Sequence, residues 1–336
     1  MKQENLMMNF NKNISEQFSS FSVKMPNEAK SKQHIYADYV ELICLFSNDY
    51  ISQSDVVDRM QDSGEEFDFP NPTDGNIGLI DAQKYDLAEK SINVIFEYIE
   101  ERKTIYQNVY PFETDSEKGI KLVERNTLTE QQLLYLYLLL ASSLKSFRKL
   151  TTAITSEFEI LSESVLKSYL PSHAKVLNFA NNNVYKGNTK EKIKQLANDI
   201  NLDCNNDEIE QISDHNSKEE GLDIVAWIPF EDNNPNTIII LGQCACGKDW
   251  FGKQNETFRY ENFLKCYRQP FTHSVFMPYD LKNTKGRFGF SKDITPNHLI
   301  FERRRILSLA NNKIFEKLKY SKQIIEKCLE YQEDIV

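Results

Sequence analysis

Two polar side chains interrupt an otherwise apolar pair of segments, Asp223 near the start of the first and Gln243 near the end of the second. The segments, 222–230 and 237–245, are rich in β-branched residues and flank a turn of Asn, Asp and Pro, a pattern that predicts a β-hairpin. A symmetric hairpin places Asp223 opposite Gln243, whereas a slightly later centre places it opposite Cys244. A carboxylate and an amide or carbonyl oxygen suit Mg²⁺, which keeps waters that a phosphate substrate can displace. The residues therefore predict a small cation site at this end of the hairpin.

Basic and aromatic residues alternate in the stretch that follows the hairpin, residues 248–268. Cations that bind phosphates and rings that stack on bases suit a nucleic-acid groove. An amphipathic helix over about residues 256–267, with the rings in the core, explains the pattern equally well. Further along, three consecutive arginines in a helical pattern must point in different directions, so at least one lies near packed surface and is paired or faces a phosphate. The predicted nucleic-acid contacts are Lys253, Arg259, Arg268, Arg303, Arg304 and Arg305.

The elements around the hairpin differ between the two halves of the chain. Residues 1–30 are polar and lack periodicity, which predicts a flexible leader. Apolar residues then recur at helical spacing, and Thr127 with Glu130 forms a predicted capping box before a long apolar helix. A further helix is predicted to begin near Thr189, ahead of the hairpin. We expect an α+β protein with a helical domain over 31–180 and a second domain, built on a mixed sheet between helices, over 187–336.

Composition limits the classes of protein that the chain can represent. It has 336 residues, with 40 Lys and Arg against 50 Asp and Glu, for a formal net charge of −10. The length suits two domains, and we recognise neither a membrane-spanning run nor a signal peptide, so the expectation is a cytoplasmic protein without a membrane partner. The acidity argues against a protein that coats nucleic acid by bulk charge. It permits a nuclease whose positive charge is local, since acids crowd the chain up to Glu220 and bases follow.

The hairpin, with the helix that contains Glu191, resembles the core of the PD-(D/E)xK, or restriction-endonuclease-like, nuclease superfamily. By this resemblance Asp223 corresponds to the metal-binding aspartate and Gln243 stands where the second acid usually lies. Glu191 corresponds to the glutamate of the preceding helix. The position of the family's lysine is Ala245, and the nearest lysine is Lys248, which a bend at Gly247 could return to the site as a migrated catalytic lysine.

The resemblance implies an α/β/α nuclease domain and hydrolysis of DNA phosphodiester bonds. Asp223, the Gln243 side-chain oxygen and the Cys244 carbonyl are then expected to hold Mg²⁺ or Mn²⁺, with Lys248 and Glu191 in supporting catalytic roles. The context implied is a bacterial restriction or anti-phage defence system, with an ATPase or recognition subunit as partner, or a homo-oligomer. Two alternatives remain open: a catalytically degenerate adaptor of the same fold, and a nuclease that acts on RNA.

Overall fold

The computed structural model describes residues 2–26, 33–62, 81–115, 119–179, 184–213, 219–230, 232–247, 250–281 and 297–332. The protein is α+β, as predicted, with helices dominating the N-terminal region and a mixed sheet in the second half. The chain divides into two compact units, which are described separately. The first comprises Met1–Ile154, Tyr279–Phe290 and Lys319–Val336; the second comprises Thr155–Pro278 and Ser291–Leu318. The C-terminal helix thus belongs to the first unit, although the sequence division assigned it to the nuclease-like domain.

The first unit is mainly helical and carries one small antiparallel strand pair. Its helices are α1 (Lys2–Phe18), α2 (Gln33–Phe46), α3 (Gln53–Asp62), α4 (Asp81–Tyr106), α5 (Glu130–Ser142) and α12 (Lys319–Glu330), and its strands are β1 (Phe112–Asp115) and β2 (Gly119–Leu122). The α5 helix is apolar on nearly all sides, and its residues from Leu134 to Ala141 are buried, as expected for a central core helix. Among the described helices, none has both the length and the apolar character needed to cross a membrane.

Two predictions for the first unit are wrong. The expected leader contains helix α1, and Phe10, Phe18 and Phe21 within residues 1–30 are buried. Many polar residues separate these rings along the sequence, so the apolar face that packs in the core is not evident from the residue pattern. The capping box before α5 is formed by Thr129 and Gln132, two residues later than the predicted pair. Either pair has a Thr three residues before a Glu or Gln, so spacing alone does not select the true N-cap.

A buried charge cluster joins several elements of the first unit. The Arg102 guanidinium lies 2.8 Å from Asp38 Oδ1, 2.8 Å from Glu41 Oε1 and 3.5 Å from Asp280 Oδ2. It also donates to the His34 carbonyl at 3.1 Å. Because all of these side chains are almost fully buried, the cluster is stabilised by its own ion pairs rather than by water.

The second unit is built around a five-stranded mixed sheet with the order β3-β5-β6-β8-β9. The pairs β3–β5 and β5–β6 are antiparallel, and the pairs β6–β8 and β8–β9 are parallel. These strands are β3 (Lys175–Asn178), β5 (Ile224–Ile228), β6 (Ile238–Cys244), β8 (Thr272–Phe276) and β9 (His298–Phe301), and a two-stranded pair is formed by β4 (Asp203–Cys204) and β7 (Leu264–Lys265). The helices are α6 (Thr151–Tyr169, which begins at the end of the first unit), α7 (Thr189–Asp199), α8 (Asn206–Glu210), α9 (Trp250–Lys253), α10 (Tyr260–Phe263) and α11 (Arg303–Leu309).

The β5–β6 hairpin is the one that the sequence predicts. Ile224 pairs with Gly242 and Ile228 with Ile238, so the register is the symmetric one and Asp223, just before β5, stands beside Gln243. One face of the hairpin packs against α7 in a cluster that contains Val225, Leu241, Ile193 and Leu196. The sheet and this packing fix the hairpin end at which Asp223 lies.

Residues 256–267 are not one amphipathic helix. A 3₁₀ turn (Glu256–Arg259), α10 and β7 lie within this range.

Candidate metal centre at the hairpin

Asp223 is held by hydrogen bonds on its backbone and on its side chain. Its backbone nitrogen donates to the Gly242 carbonyl at 3.0 Å, and its carbonyl accepts from the Phe179 nitrogen at 2.7 Å. Its Oδ2 accepts from the Cys244 backbone nitrogen at 2.7 Å. The carboxylate is therefore fixed against the neighbouring strand by one oxygen, while Oδ1 takes no part in that bond.

Gln243 contributes a buried amide beside this carboxylate. The residue is only 4 % exposed, and its Oε1 is buried without a hydrogen-bond partner in the described part of the chain. Its Nε2 lies 3.5 Å from the Cys244 carbonyl, at the limit of a weak hydrogen bond. A buried polar atom left without a partner costs about 1–3 kcal/mol, so the site has an acceptor that a cation or a water could satisfy.

The environment of Asp223 favours its protonated form. Burial raises the pKa of Asp223 from 3.8 to about 7, against the lowering effect of the Cys244 N–H. The carboxylates of Glu159 and Glu219 raise this pKa further, and the Lys253 ammonium lowers it. A raised carboxyl pKa in a site with several acids and one base is typical of functional sites and of cation sites without their ion.

Glu159 is a candidate site residue that the sequence analysis missed. It lies on α6, and Asn178 Nδ2 is 3.4 Å from its Oε2. Asn178 pairs with Ile224, the residue after Asp223, so the hydrogen bond connects α6 to the strand position next to the site. The feature that could have indicated Glu159 is the short connection from α6 to β3, the strand that pairs with β5.

Glu191 was predicted to be the helix glutamate of the site, and the structure contradicts this role. It is the third residue of a capping box at the start of α7, where its carboxylate accepts from the Asn188 backbone nitrogen at 2.8 Å. The side chain is exposed. The reason lies in the topology: α7 belongs to a long connection between β3 and β5, two strands that are adjacent in the sheet. The helical acid that acts on Asp223 is instead Glu159 on α6, which precedes this connection.

The cation that acts on Asp223 comes from α9. Lys253, predicted as a nucleic-acid contact, is partly buried, and its ammonium lowers the pKa values of both Asp223 and the Cys246 thiol. Lys248, the predicted catalytic lysine, lies outside the described residues. Ala245, at the family's lysine position, is fully buried, and its nitrogen donates to the Phe276 carbonyl at 2.8 Å. Within the described residues, Lys253 is thus a lysine whose charge acts on Asp223.

Burial disfavours the thiolate form of the two cysteines next to the site. Cys244 and Cys246 are buried free cysteines, and burial raises both thiol pKa values well above the ordinary value. No group of three or more His, Cys, Asp or Glu side chains in the described part of the chain is arranged to hold a metal. The available ligands are oxygens: the Asp223 carboxylate, the Gln243 amide and the Cys244 carbonyl. This set fits Mg²⁺, which is bound in proteins by one or two carboxylates and keeps several waters.

The predicted nucleic-acid contacts divide into buried and exposed residues. Arg303 is wrong as a contact: it is 0 % exposed, and its Nε donates to the Pro278 carbonyl at 2.8 Å. This agrees with the expectation that one of the three arginines must pack inward. Arg304 and Arg305 are exposed, although Arg305 also donates to the Ile300 carbonyl at 2.7 Å. Arg268 is exposed as well.

Arg259 is exposed and forms an ion pair with Glu220 at 3.3 Å, in the loop that leads to Asp223. Glu220 and Gly221 both have positive φ, and a Cβ at Gly221 would lie 2.6 Å from the Cβ of Glu256, so this loop requires glycine. Tyr260 also donates to the Glu219 carbonyl at 2.9 Å. The segment that contains Arg259 and Tyr260 therefore positions the entry to the site.

Comparison of the chain with models of known protein families, with curated proteins and with solved structures finds no match.

Proposed function

We propose that the protein is a metal-dependent endonuclease that hydrolyses DNA phosphodiester bonds at the site formed by Asp223, Gln243 and Lys253. The observation that carries the proposal is the pair of oxygen ligands at the hairpin end: a carboxylate fixed by the Cys244 N–H and a buried amide oxygen without a partner. The resemblance of the hairpin to PD-(D/E)xK nucleases supports the same assignment. We extend the proposal to an effector of a bacterial defence system that works with an ATPase or recognition subunit.

The roles of the residues follow from their chemistry. Asp223 and Gln243 would hold Mg²⁺ or Mn²⁺ together with the Cys244 carbonyl, and Glu159 would fix the water shell of the ion. The bound ion would lower the pKa of a coordinated water and neutralise charge on the scissile phosphate. Lys253 would place a positive charge where negative charge develops during hydrolysis.

One observation favours a second candidate, a non-catalytic adaptor of the same fold. A buried alanine occupies the position where the family carries lysine, and the second acid is replaced by an amide that brings no charge. Both changes weaken a catalytic centre, whereas neither affects the packing of the sheet. An RNA substrate is a variant of the first proposal, since the same chemistry cleaves either backbone.

The test is metal-dependent cleavage by the full chain. Supercoiled plasmid and total tRNA are incubated with the wild type and Mg²⁺ or Mn²⁺, and with Asp223→Ala and Asp232→Ala variants. Asp232 is a matched control because it is an exposed aspartate at the opposite end of the same hairpin, where its Oδ1 accepts from the Asn234 nitrogen. We expect cleavage of plasmid that Asp223→Ala reduces at least a hundredfold and Asp232→Ala leaves unchanged.

Different results would support different alternatives. Cleavage of tRNA but not plasmid would move the substrate to RNA and leave the site intact. Cleavage that Asp223→Ala does not reduce would refute the site. Absence of metal-dependent cleavage, also in the presence of the partner subunit, would refute the nuclease proposal in favour of the adaptor.

A further inference from the structure

Three aromatic side chains on the segment that follows the hairpin are exposed, although neighbouring rings in the same segment are buried. Phe251 is 52 % exposed, Phe258 is 37 % exposed and Tyr267 is 55 % exposed. Trp250 and Tyr260, by contrast, are almost fully buried. The aromatic residues of this stretch are therefore divided between the core and the surface.

Phe251 and Phe258 flank Glu256, which packs against Gly221 two residues before Asp223, and these two rings form the aromatic surface. Tyr267 adjoins Arg268, whose backbone nitrogen donates to Asn236 at the turn end of the hairpin.

Each ring of the aromatic surface is held in place by a neighbour on the protein side. The Phe251 ring packs edge-on against Trp250, with centroids 6.2 Å apart. The centroid of the Phe258 ring lies 4.2 Å from that of the His273 ring. A ring that is fixed in this way loses little conformational entropy when a flat ligand stacks on its free face.

Two cations lie on the same segment as these rings. Arg259, which follows Phe258, is exposed and forms an ion pair with Glu220 at 3.3 Å, in a chain whose net charge is −10. Lys253, on the same short helix as Phe251, acts electrostatically on Asp223. Phe251 and Lys253 are two residues apart on a helical turn, so they project to different sides of α9, where Phe251 is exposed and Lys253 is partly buried. The surface thus combines stacking platforms with local positive charge beside the candidate metal centre.

On the basis of the proposed function, we propose that the aromatic surface binds a nucleic-acid strand with unpaired bases, and that Phe251 stacks on a base close to the phosphate that is cleaved. Exposed rings interleaved with cations are how proteins bind single strands, because every base has a face on which a ring can stack. A paired base inside a duplex already stacks on its neighbours and is not available to a ring on a protein surface. The geometry therefore favours single-stranded or locally opened substrates over continuous duplex.

The test measures binding without catalysis, so that it does not depend on cleavage. A fluorescently labelled DNA oligonucleotide, its RNA counterpart and the matching DNA duplex are titrated with the full chain in Ca²⁺ in place of Mg²⁺, so that a divalent ion is present, and anisotropy is recorded. The variants are Phe251→Ala, Phe251→Trp and, as a matched control, Phe230→Ala. Phe230 is 66 % exposed and follows β5 at the end of the hairpin remote from Asp223.

We expect Phe251→Ala to weaken binding of the single strand about tenfold, the effect of losing one base–aromatic stack. Phe251→Trp should bind the single strand with about the wild-type affinity, and Phe230→Ala should leave that affinity unchanged. Equal losses on single strand and duplex, an equal loss from Phe230→Ala, or failure of the wild type to bind single strands would each refute the inference. Selective binding of the single strand by a protein that cleaves nothing would refute the proposed nuclease activity alone, and the RNA arm shows which strand is preferred.

Discussion

The raised pKa of Asp223 leads to a quantitative prediction: an Asp223→Asn variant should be more stable than the wild type above neutral pH. Burial raises the pKa of Asp223 from 3.8 to about 7 in the folded protein. Between these two values the folded state binds more protons than the unfolded state, so the free energy of unfolding falls as the pH rises. Above about pH 7 the folded protein carries the full cost of an ionised buried carboxylate, and asparagine does not have this cost.

The size of the effect follows from the same values. A pKa change from 3.8 to about 7 is equivalent to ~4 kcal/mol. Because Asp223 is mostly but not completely buried, solvent screens part of this cost, and we expect about 2 kcal/mol. For a domain of roughly 150–250 residues, this corresponds to an increase in Tm of about 4–8 °C. Asparagine can still accept the Cys244 N–H through its side-chain oxygen, so the local geometry is kept.

The assay is thermal unfolding of wild type, Asp223→Asn and Asp232→Asn at about pH 4 and about pH 8, with and without Mg²⁺. The Asp223→Asn variant should have the higher Tm only at the higher pH, and the exposed control should match the wild type at both. Mg²⁺ should raise the Tm of the wild type but not that of Asp223→Asn, because a ligand stabilises only the state that binds it. An Asp223→Asn variant that is equally or less stable at about pH 8 would refute the buried-carboxylate argument.

Three further predictions concern other residues of the two units. Gln243→Glu adds a carboxylate to the proposed ligand set and should lower the Mg²⁺ concentration for half-maximal cleavage about tenfold, or ~1.4 kcal/mol, in a metal titration. Glu191→Ala should lower the free energy of unfolding by about 1 kcal/mol through loss of its cap and leave that metal titration unchanged; a shift would return Glu191 to the site. Arg102→Met should destabilise the first unit by about 3–5 kcal/mol in chemical denaturation, because it leaves buried carboxylates without their cation, and a neutral result would show that these are protonated.

Local sequence patterns predicted the hairpin well because its determinants are local. Apolar runs rich in β-branched residues and a turn of Asn and Pro define both strands, and the turn position then gives the register of Asp223 with Gln243. The α7 helix was predicted for the same reason, since its apolar stripe and its start near Thr189 lie within one segment. Each of these features is encoded within a short stretch of chain.

The partners of Asp223 could not be predicted in this way because they come from distant segments. Glu159 lies more than sixty positions before Asp223 along the chain, on a helix whose apolar pattern indicates only a core helix. Its proximity depends on the pairing of β3 with β5 across a long connection. Because α7 lies within this connection, it is closer to the hairpin in sequence than α6. For this reason Glu191, and not Glu159, was assigned to the site. Lys253, similarly, lies on α9, whose position relative to Asp223 the residue pattern does not specify.

The charge of the candidate site indicates which ligand it favours. The carboxylates of Glu159 and Glu219 raise the pKa of Asp223, and the Lys253 ammonium lowers it. A buried carboxylate and a buried amide oxygen without a partner both lower stability, and apolar residues of similar size would pack there at less cost. Glu219 is partly neutralised by Lys192, at 3.3 Å. The remaining carboxylates beside the Gln243 Oε1 atom favour a cation over an anion. The proposed site would therefore take a divalent cation first, and a phosphate only after the ion had reversed the local charge.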